Sequence, residues 1–338
     1  MSSDAQTIHT IIRQARGRFE QAGIERDSAV LEADLLARHA LGGWDRGQLI
    51  ANWHETPPPS FAEAFALLVR RRAHREPAAY ITGTREFWNI DIEVAPGVLV
   101  PRPETEFIVE ELLARFGGRE ASPELSMSAG SLARDGFRTC VCGPVLAART
   151  RCETGVEQSK PVARAFRLAD VGTGSGCLAV ALARWLPGAG VVVAIDTSEE
   201  ALRVAQRNIT RHDVADRVAL VRGDLLAPVE GPFDAIVSNP PYVPTAELVT
   251  LQPEIRAYEP VAALDGGPDG LDVIRQLVPQ AASRLADGGW LVFEFGFGQA
   301  AGVSAIIEAE SRLHLEAIRD DLAGIPRVAV STRREKGR

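Results

Sequence analysis

Lysine is almost absent from these 338 residues: Lys160 and Lys336 stand against thirty-five arginines. With the heavy use of alanine and glycine, that imbalance reads as codon bias from a GC-rich genome rather than as function. Positive charge as a whole is also short. The formal net charge is -8 and the pI about 5.4, which argues against a general affinity for nucleic-acid backbone, since that needs clustered excess Lys and Arg. No run of eighteen apolar residues occurs, so no membrane-spanning helix is expected. The first residues, MSSDAQTIHTIIRQ, lack a basic start followed by an apolar core; no secretion leader is expected there, and a cytoplasmic location is. Cysteine is scarce too. Cys140, Cys142, Cys152 and Cys177 are too few and too clustered to staple a chain of this length, which fits a reducing compartment. Three of them could be metal ligands, but no His accompanies them between Gly117 and Ala163 to complete a structural zinc set. No metal is expected.

What is present divides the chain into regions of different period. At 338 residues there is room for two domains, or one with an appendage. Between residues 5 and 75, Ile8, Ile11, Ile12, Ala15 and Phe19 recur at helical spacing. Val30, Leu31, Leu35, Leu36 and His39 continue the pattern, and Phe61, Phe65, Leu68 and Val69 close it. A small helical bundle over 1–80 is the expected result. Charges within 1–86 balance, eleven Arg against eleven acids, so the bundle is not a nucleic-acid arm. Arg70-Arg71-Arg72 with Arg75 reads either as a partner contact or, more simply, as a solvated helix face.

Residues 86–100, EFWNIDIEVAPGVLV, change to near-alternation, with a turn at Pro96-Gly97. The spacing predicts a β-hairpin that connects two domains over 81–103. A helix follows from about Glu104. Residues 117–163 are rich in Gly, Ser, Ala and Arg, with weak periodicity, and read as a surface insertion within the second domain, 104–338. From residue 165, strand candidates at Phe166–Val171, Val191–Asp196, Val218–Asp224, Phe233–Ser238 and Trp290–Phe295 alternate with helical patterns such as Leu178–Trp185 and Glu199–Asn208. That alternation predicts a mostly parallel, doubly wound α/β sheet with helices on both faces. Leu313–Arg319 and Arg327–Thr332 would add two strands, one of them antiparallel.

Two motifs carry chemistry. Asp170-Val171-Gly172-Thr173-Gly174-Ser175-Gly176-Cys177 leaves a strand and enters a helix, where glycines let backbone approach a ligand and free N–H groups face it. Asp196, twenty residues past Gly176, ends the next strand and can accept both hydroxyls of a ribose; it can equally cap the following helix. The glycines alternate rather than following Gly-x-Gly-x-x-Gly, and an acid ends the strand. Asp170 would repel a pyrophosphate but suit a cationic amino-acid head such as that of S-adenosylmethionine. Asp224 would then accept from the adenine amino group with Leu225 against the ring, or else merely close a turn.

The second motif is Asn239-Pro240-Pro241-Tyr242, at the carboxyl end of the fourth strand. Each proline pushes its predecessor out of helical geometry, so the Asn239 side chain and the Pro240 carbonyl are held as a fork of two acceptors. Such a fork matches the two hydrogens of an –NH2 group, and Tyr242 offers a wall on which a planar group can stack. By itself the clamp does not choose between an adenine and an amide, nor exclude a binding module in which it lies idle.

Asn239-Pro240-Pro241-Tyr242 with Gly172-Thr173-Gly174-Ser175-Gly176 resembles class I methyltransferases that act on planar nitrogens, adenine-N6 enzymes included. EPAAYITGTREFW (76–88), VLVPRPETE (98–106), YEPVAALDGGPDGLDVIRQL (258–277) and FEFGFGQ (293–299) narrow the resemblance to the PrmC/HemK family of release-factor glutamine methyltransferases. That resemblance implies a helical N-terminal domain, a β-hairpin linker and a Rossmann-like domain with a seven-stranded, mostly parallel sheet. It implies S-adenosylmethionine on Gly172–Gly176, Asp196, Leu225 and Asn239, and the target glutamine of class I release factors on Asn239–Tyr242. It also implies a monomer. The segment 117–163 departs from the family pattern.

Overall fold

The computed structural model of the protein describes residues 7–116, 165–186 and 188–335. The expected insertion at 117–163, with Cys140, Cys142 and Cys152, lies outside the described residues. Among the described residues no group of three or more His, Cys, Asp or Glu could hold a metal ion, and no helix is long and apolar enough to cross a membrane.

Five helices come first: α1 (Ile8–Gln21), α2 (Arg26–Ala40), α3 (Arg46–Ala51), α4 (Phe61–Ala73) and α5 (Ala78–Thr82). The Thr7 hydroxyl accepts from the Thr10 amide and starts α1 by satisfying one of its free N–H groups. Ile8, Ile12, Ala15 and Phe19 are then buried at three- and four-residue steps, as the periodicity predicts. α2 differs. It buries Ala29, Ala33, Leu36 and Ala37, while Leu31 is 63% exposed. Helix separation depends on the side chains at the contact, and the alanine face is the one that lets α2 lie close to its neighbours.

The arginine cluster is neither a docking patch nor, apart from exposed Arg70, a solvated face. Arg71 pairs with Glu76 at 2.5 Å. Arg72, with its side chain 3% exposed, binds Glu32 at 2.7 Å and Glu254 at 3.0 Å, and Arg75 shares Glu254. Glu254 lies on α9 (Pro253–Tyr258) in the second half of the chain, so the cluster ties the bundle to that helix. Breaking a buried pair leaves an uncompensated charge. Glu254→Ala is therefore expected to lower unfolding free energy by about 2–3 kcal/mol, read by equilibrium urea denaturation.

The hairpin exists, but its turn is not at Pro96-Gly97. β1 (Thr84–Phe87) and β2 (Ile90–Glu93) pair antiparallel around Trp88-Asn89, whose φ values of 49° and 57° are those of a primed two-residue turn. The Glu106 carboxylate accepts from the Trp88 amide at 2.9 Å. Neither turn residue is the glycine such turns favour, which is why the sequence pattern misplaces the bend. Buried Asn208 stitches the hairpin down: it accepts from the Glu93 amide at 2.7 Å and donates to the Glu93 and Ser175 carbonyls.

After α6 (Glu106–Phe116) come β3 (Phe166–Val171), α7 (Cys177–Trp185), β4 (Ala189–Asp196), α8 (Glu199–Arg211), β5 (Val218–Arg222) and β6 (Phe233–Ser238). Beyond α9 lie α10 (Asp272–Arg284), β7 (Leu285–Glu294), α11 (Ala300–Ala309), β8 (Leu313–Asp320) and β9 (Pro326–Arg333). The seven strands β3–β9 run in the order β5-β4-β3-β6-β7-β9-β8, parallel except for β9, which is antiparallel to β7 and β8. Strand residues alternate between two cores. Val192, Ala194, Ala235 and Val237 pack with α6 and α7, whereas Val193, Ile195 and Ile236 face the other way, with α10 and α11. Strand order reverses between β3 and β6, so the residues just past Val171 and Ser238 meet at the switch point where open α/β sheets bind ligands.

Candidate active site

The loop after β3 is strapped to the end of β4. Gly172 and Thr173 amides both donate to the Ile195 carbonyl at 2.9 Å, and the Gly174 amide donates to Asp196 Oδ2 at 2.9 Å. Gly176 has a φ of 81°, and a Cβ there would lie 3.1 Å from that of Ala205 on α8; only glycine meets both demands. Asp196 Oδ1 accepts from the Ser198 amide at 2.9 Å. Each of its oxygens has one backbone donor and keeps acceptor capacity. Ser198, not Asp196, is the N-cap of α8, accepting from the Ala201 amide at 3.2 Å.

Above this loop lies a cavity of about 320 Å³. Of the expected site residues, Gly172, Thr173, Gly174, Ser175, Asp196, Asp224, Leu225, Asn239 and Pro241 line it. Gly176 is not part of that wall and packs against Ala205 of α8. Exposed Asp224 makes no side-chain hydrogen bond among the described residues, while its carbonyl closes a turn to the Ala227 amide at 3.0 Å. Among the described residues, the wall holds the carboxylates of Asp196 and Asp224 and no Lys or Arg.

Asp170 is placed differently from the expectation that it meets a cationic head directly. It is fully buried beneath the loop and outside the cavity wall. Its Oδ2 accepts from the Thr173 hydroxyl at 2.6 Å and the Ala179 amide at 3.1 Å, whereas Oδ1 has no partner among the described residues. It therefore shapes the loop and the start of α7 and leaves one unspent acceptor below the cavity floor. Burial pushes its carboxyl up to about 7 from 3.8, against the pull of Thr173 and Ala179. An acid raised in the folded state holds its proton more tightly there than in the unfolded chain. Its contribution is thus fully present below the unfolded value and is lost as pH rises towards 7. Calorimetric melting of the ligand-free protein should show a Tm decline across that range which is shallower in Asp170→Asn.

β6 is tied to β3 at its exit, where the Ser238 hydroxyl donates to the Val171 carbonyl at 2.7 Å. Asn239 Nδ2 donates to Thr105 Oγ1 at 2.8 Å. Asn239 Oδ1 and the Pro240 carbonyl accept no hydrogen bond among the described residues, so the fork of two acceptors is open. A second cavity of about 160 Å³ lies beside the first, lined by Arg102, Asn239, Pro240, Tyr242, Leu251 and Ile255 among others. Leu99, Asn239 and Ala263 belong to both walls. Pro240 and Tyr242 face only the smaller one. Burial and the Glu294 carboxylate hold the Tyr242 phenol well above its ordinary range.

The stretch 264–272 braces the clamp from outside. Val243 donates to the Leu264 carbonyl at 2.8 Å and accepts from the Gly266 amide at 2.9 Å. The Gln299 carboxamide spans the gap, accepting from the Gly296 amide at 2.7 Å and donating to the Tyr242 carbonyl at 2.8 Å. At Gly270, φ is 75° and a Cβ would run into the Tyr242 carbonyl and Gln299. Gly270→Ala is expected to displace the clamp and cut turnover by roughly 100-fold, while cofactor affinity measured by calorimetry stays close to wild type.

Thr105, Asn208, Glu294 and Gln299 are the residues that sequence reasoning missed. Thr105, Glu294 and Gln299 sit inside blocks that carry the family resemblance, yet a threonine between two glutamates or a glutamate closing an apolar strand signals no role by itself.

The model of the PrmC N-terminal domain family matches residues 10–83, and that of the methyltransferase small domain matches residues 158–252. A protein of Geobacter sulfurreducens named release factor glutamine methyltransferase is 43% identical over 298 residues, 88% of this chain and 87% of its own length. Proteins with the same name from Bradyrhizobium diazoefficiens and Moorella thermoacetica are 38% and 37% identical, over 97% and 98% of this chain and 95% and 100% of theirs.

Proposed function

We propose that this chain, which belongs to the release factor glutamine methyltransferase family, carries a methyl group from S-adenosylmethionine to the side-chain amide N5 of the glutamine in the Gly-Gly-Gln motif of class I peptide chain release factors. It is an enzyme of one-carbon transfer. The observation that carries the target half of this reading is the meeting of two cavities at Asn239, where Oδ1 and the Pro240 carbonyl stand open.

The residues of the larger cavity fit the methyl donor. Its wall is acidic and, among the described residues, lacks a cation, which suits a sulfonium and an ammonium and opposes a pyrophosphate. Asp196, with one acceptor site spare on each oxygen, would hold the two ribose hydroxyls, and Asp224 and Leu225 the adenine. Gly172–Gly176 would bring backbone close to the amino-acid head, with the Asp170 side chain holding the loop from below. Bound there, S-adenosylmethionine supplies an electrophilic methyl on sulfur.

The chain's own work is on the target. An amide nitrogen is a poor nucleophile because its lone pair is delocalised into the carbonyl. Asn239 Oδ1 and the Pro240 carbonyl hold its two hydrogens, and the Tyr242 ring covers the plane, so the nitrogen is fixed in direction. Alignment of this kind can supply on the order of 7–11 kcal/mol in the best model reactions. No strong base has to act first, because the nitrogen becomes acidic once it is methylated.

The clamp by itself would also take an adenine amino group. The net charge of -8 and the internal use of Arg71, Arg72 and Arg75 favour a protein target without direct nucleic-acid binding. We take the enzyme to act as a cytoplasmic monomer. Mass spectrometry of a class I release factor incubated with enzyme and methyl donor tests the reading: one added methyl on the glutamine of Gly-Gly-Gln is expected, and a methyl elsewhere or none would overturn it.

A further inference from the structure

Glu294 ends β7 with 1% of its surface exposed. Its Oε2 accepts from the Thr105 hydroxyl at 2.6 Å and its Oε1 from the Tyr242 hydroxyl at 2.8 Å. Thr105 in turn accepts from Asn239 Nδ2 at 2.8 Å. One buried carboxylate therefore holds two parts of the target clamp, the carboxamide through a single hydroxyl and the aromatic wall directly. Among the described residues it has no ion-pair partner. Keeping such a carboxylate buried is costly, and its two donors, helped by the Arg102 guanidinium, offset part of that cost. A glutamine would fill the same space but would turn an –NH2 towards one of the two hydroxyls, whereas an ionised carboxylate accepts from both.

We propose that Glu294 is a positioning residue for methyl transfer, an acceptor-only carboxylate that fixes which way round the Asn239 carboxamide sits. The logic is one of hydrogen-bond polarity. A threonine hydroxyl has a single proton. An ionised Glu294 takes it, so Thr105 can only accept from Asn239, and Nδ2 must face Thr105. Asn239 Oδ1 then faces the target, ready for an N–H of the amide. If Glu294 is neutral it can donate to Thr105 instead. Thr105 is then free to donate to Asn239 Oδ1, the carboxamide can turn over, and an –NH2 is presented to the target's own –NH2. Two donors in contact do not bind. The same carboxylate anchors the Tyr242 ring, so losing its charge loosens both sides of the clamp.

Several groups set the proton affinity of Glu294. Burial raises it most, and Glu104 raises it further; the Thr105 and Tyr242 hydroxyls and the Arg102 guanidinium lower it, with a net upward shift. The Cys177 thiol, pushed up to about 12 mainly by burial, and the Tyr242 phenol, held well above its ordinary range by burial and by Glu294, keep their protons where the enzyme works. The turnover number should therefore fall on the acid side as Glu294 is protonated, at a pH above the ordinary carboxylate range.

The inference rests on the glutamine-methylation reading, and the experiment separates the two. Steady-state methylation of a class I release factor is followed against pH at saturating S-adenosylmethionine. Glu294→Gln is expected to lower kcat by roughly 10- to 100-fold, leave the calorimetric Kd for the cofactor within about threefold, and abolish the acid limb. Thr105→Val, which leaves Glu294 in place but breaks the relay, should lose a similar factor, and Thr105→Ser should recover most of it. The double variant Glu294→Gln/Thr105→Val should be no worse than the poorer single one, as expected for residues acting through one another. Wild-type kcat with an intact acid limb in Glu294→Gln would overturn the relay, and so would fully additive losses. Failure of the wild-type enzyme to methylate the release factor would instead overturn the reaction itself.

Discussion

Asn239→Ala is expected to abolish methyl transfer, with kcat down by at least about 1,000-fold, while the calorimetric Kd for S-adenosylmethionine changes by less than about threefold. The asymmetry follows from where Asn239 stands. It belongs to both cavity walls, but its free acceptor completes a two-point fork with the Pro240 carbonyl, and among the described residues nothing else lining the smaller cavity duplicates that fork. The larger cavity has its own carboxylates and loop to hold a ligand. The substitution also leaves Thr105 without its donor, so the relay to Glu294 has nothing to orient. Activity surviving within tenfold would mean that the clamp does not work as described.

Asp196→Ala should do the reverse. Its oxygens anchor the Gly174 and Ser198 amides and retain the capacity for two ligand hydroxyls, so its removal takes away the ligand contacts and loosens the loop that frames them. Cofactor affinity is expected to weaken by roughly 100-fold, the equivalent of about 3 kcal/mol for lost charge-assisted hydrogen bonds. The kcat at saturating cofactor should stay within about tenfold, because the target clamp is untouched. Unchanged affinity by calorimetry would remove Asp196 from the ribose role.

What could be read from the sequence was local. β3 and β6 begin and end where periodicity placed them, because their alternating faces are buried in two separate cores. The glycine loop and the Asn239–Tyr242 clamp were legible because backbone restriction by Gly and Pro is a property of the residues themselves. What depends on partners far along the chain was not. Arg72 and Glu254 are 182 residues apart, and Thr105 and Glu294 are 189 apart; no periodicity joins them. Asp170 could be placed beside the ligand loop, but only packing decides that its side chain turns beneath the loop. The hairpin turn escaped for a different reason: Trp88-Asn89 adopts positive φ without glycine, supported by Glu106 from outside the hairpin.

The central claim is that Asn239 and Pro240 present a protein glutamine, not a nucleobase, to the methyl donor. It is tested most directly with methyl-tritiated S-adenosylmethionine offered with three acceptors: a purified class I release factor, the same factor with the Gly-Gly-Gln glutamine changed to alanine, and duplex DNA. The account predicts label on the first alone. Label on DNA, or equal label on the alanine variant, would contradict it.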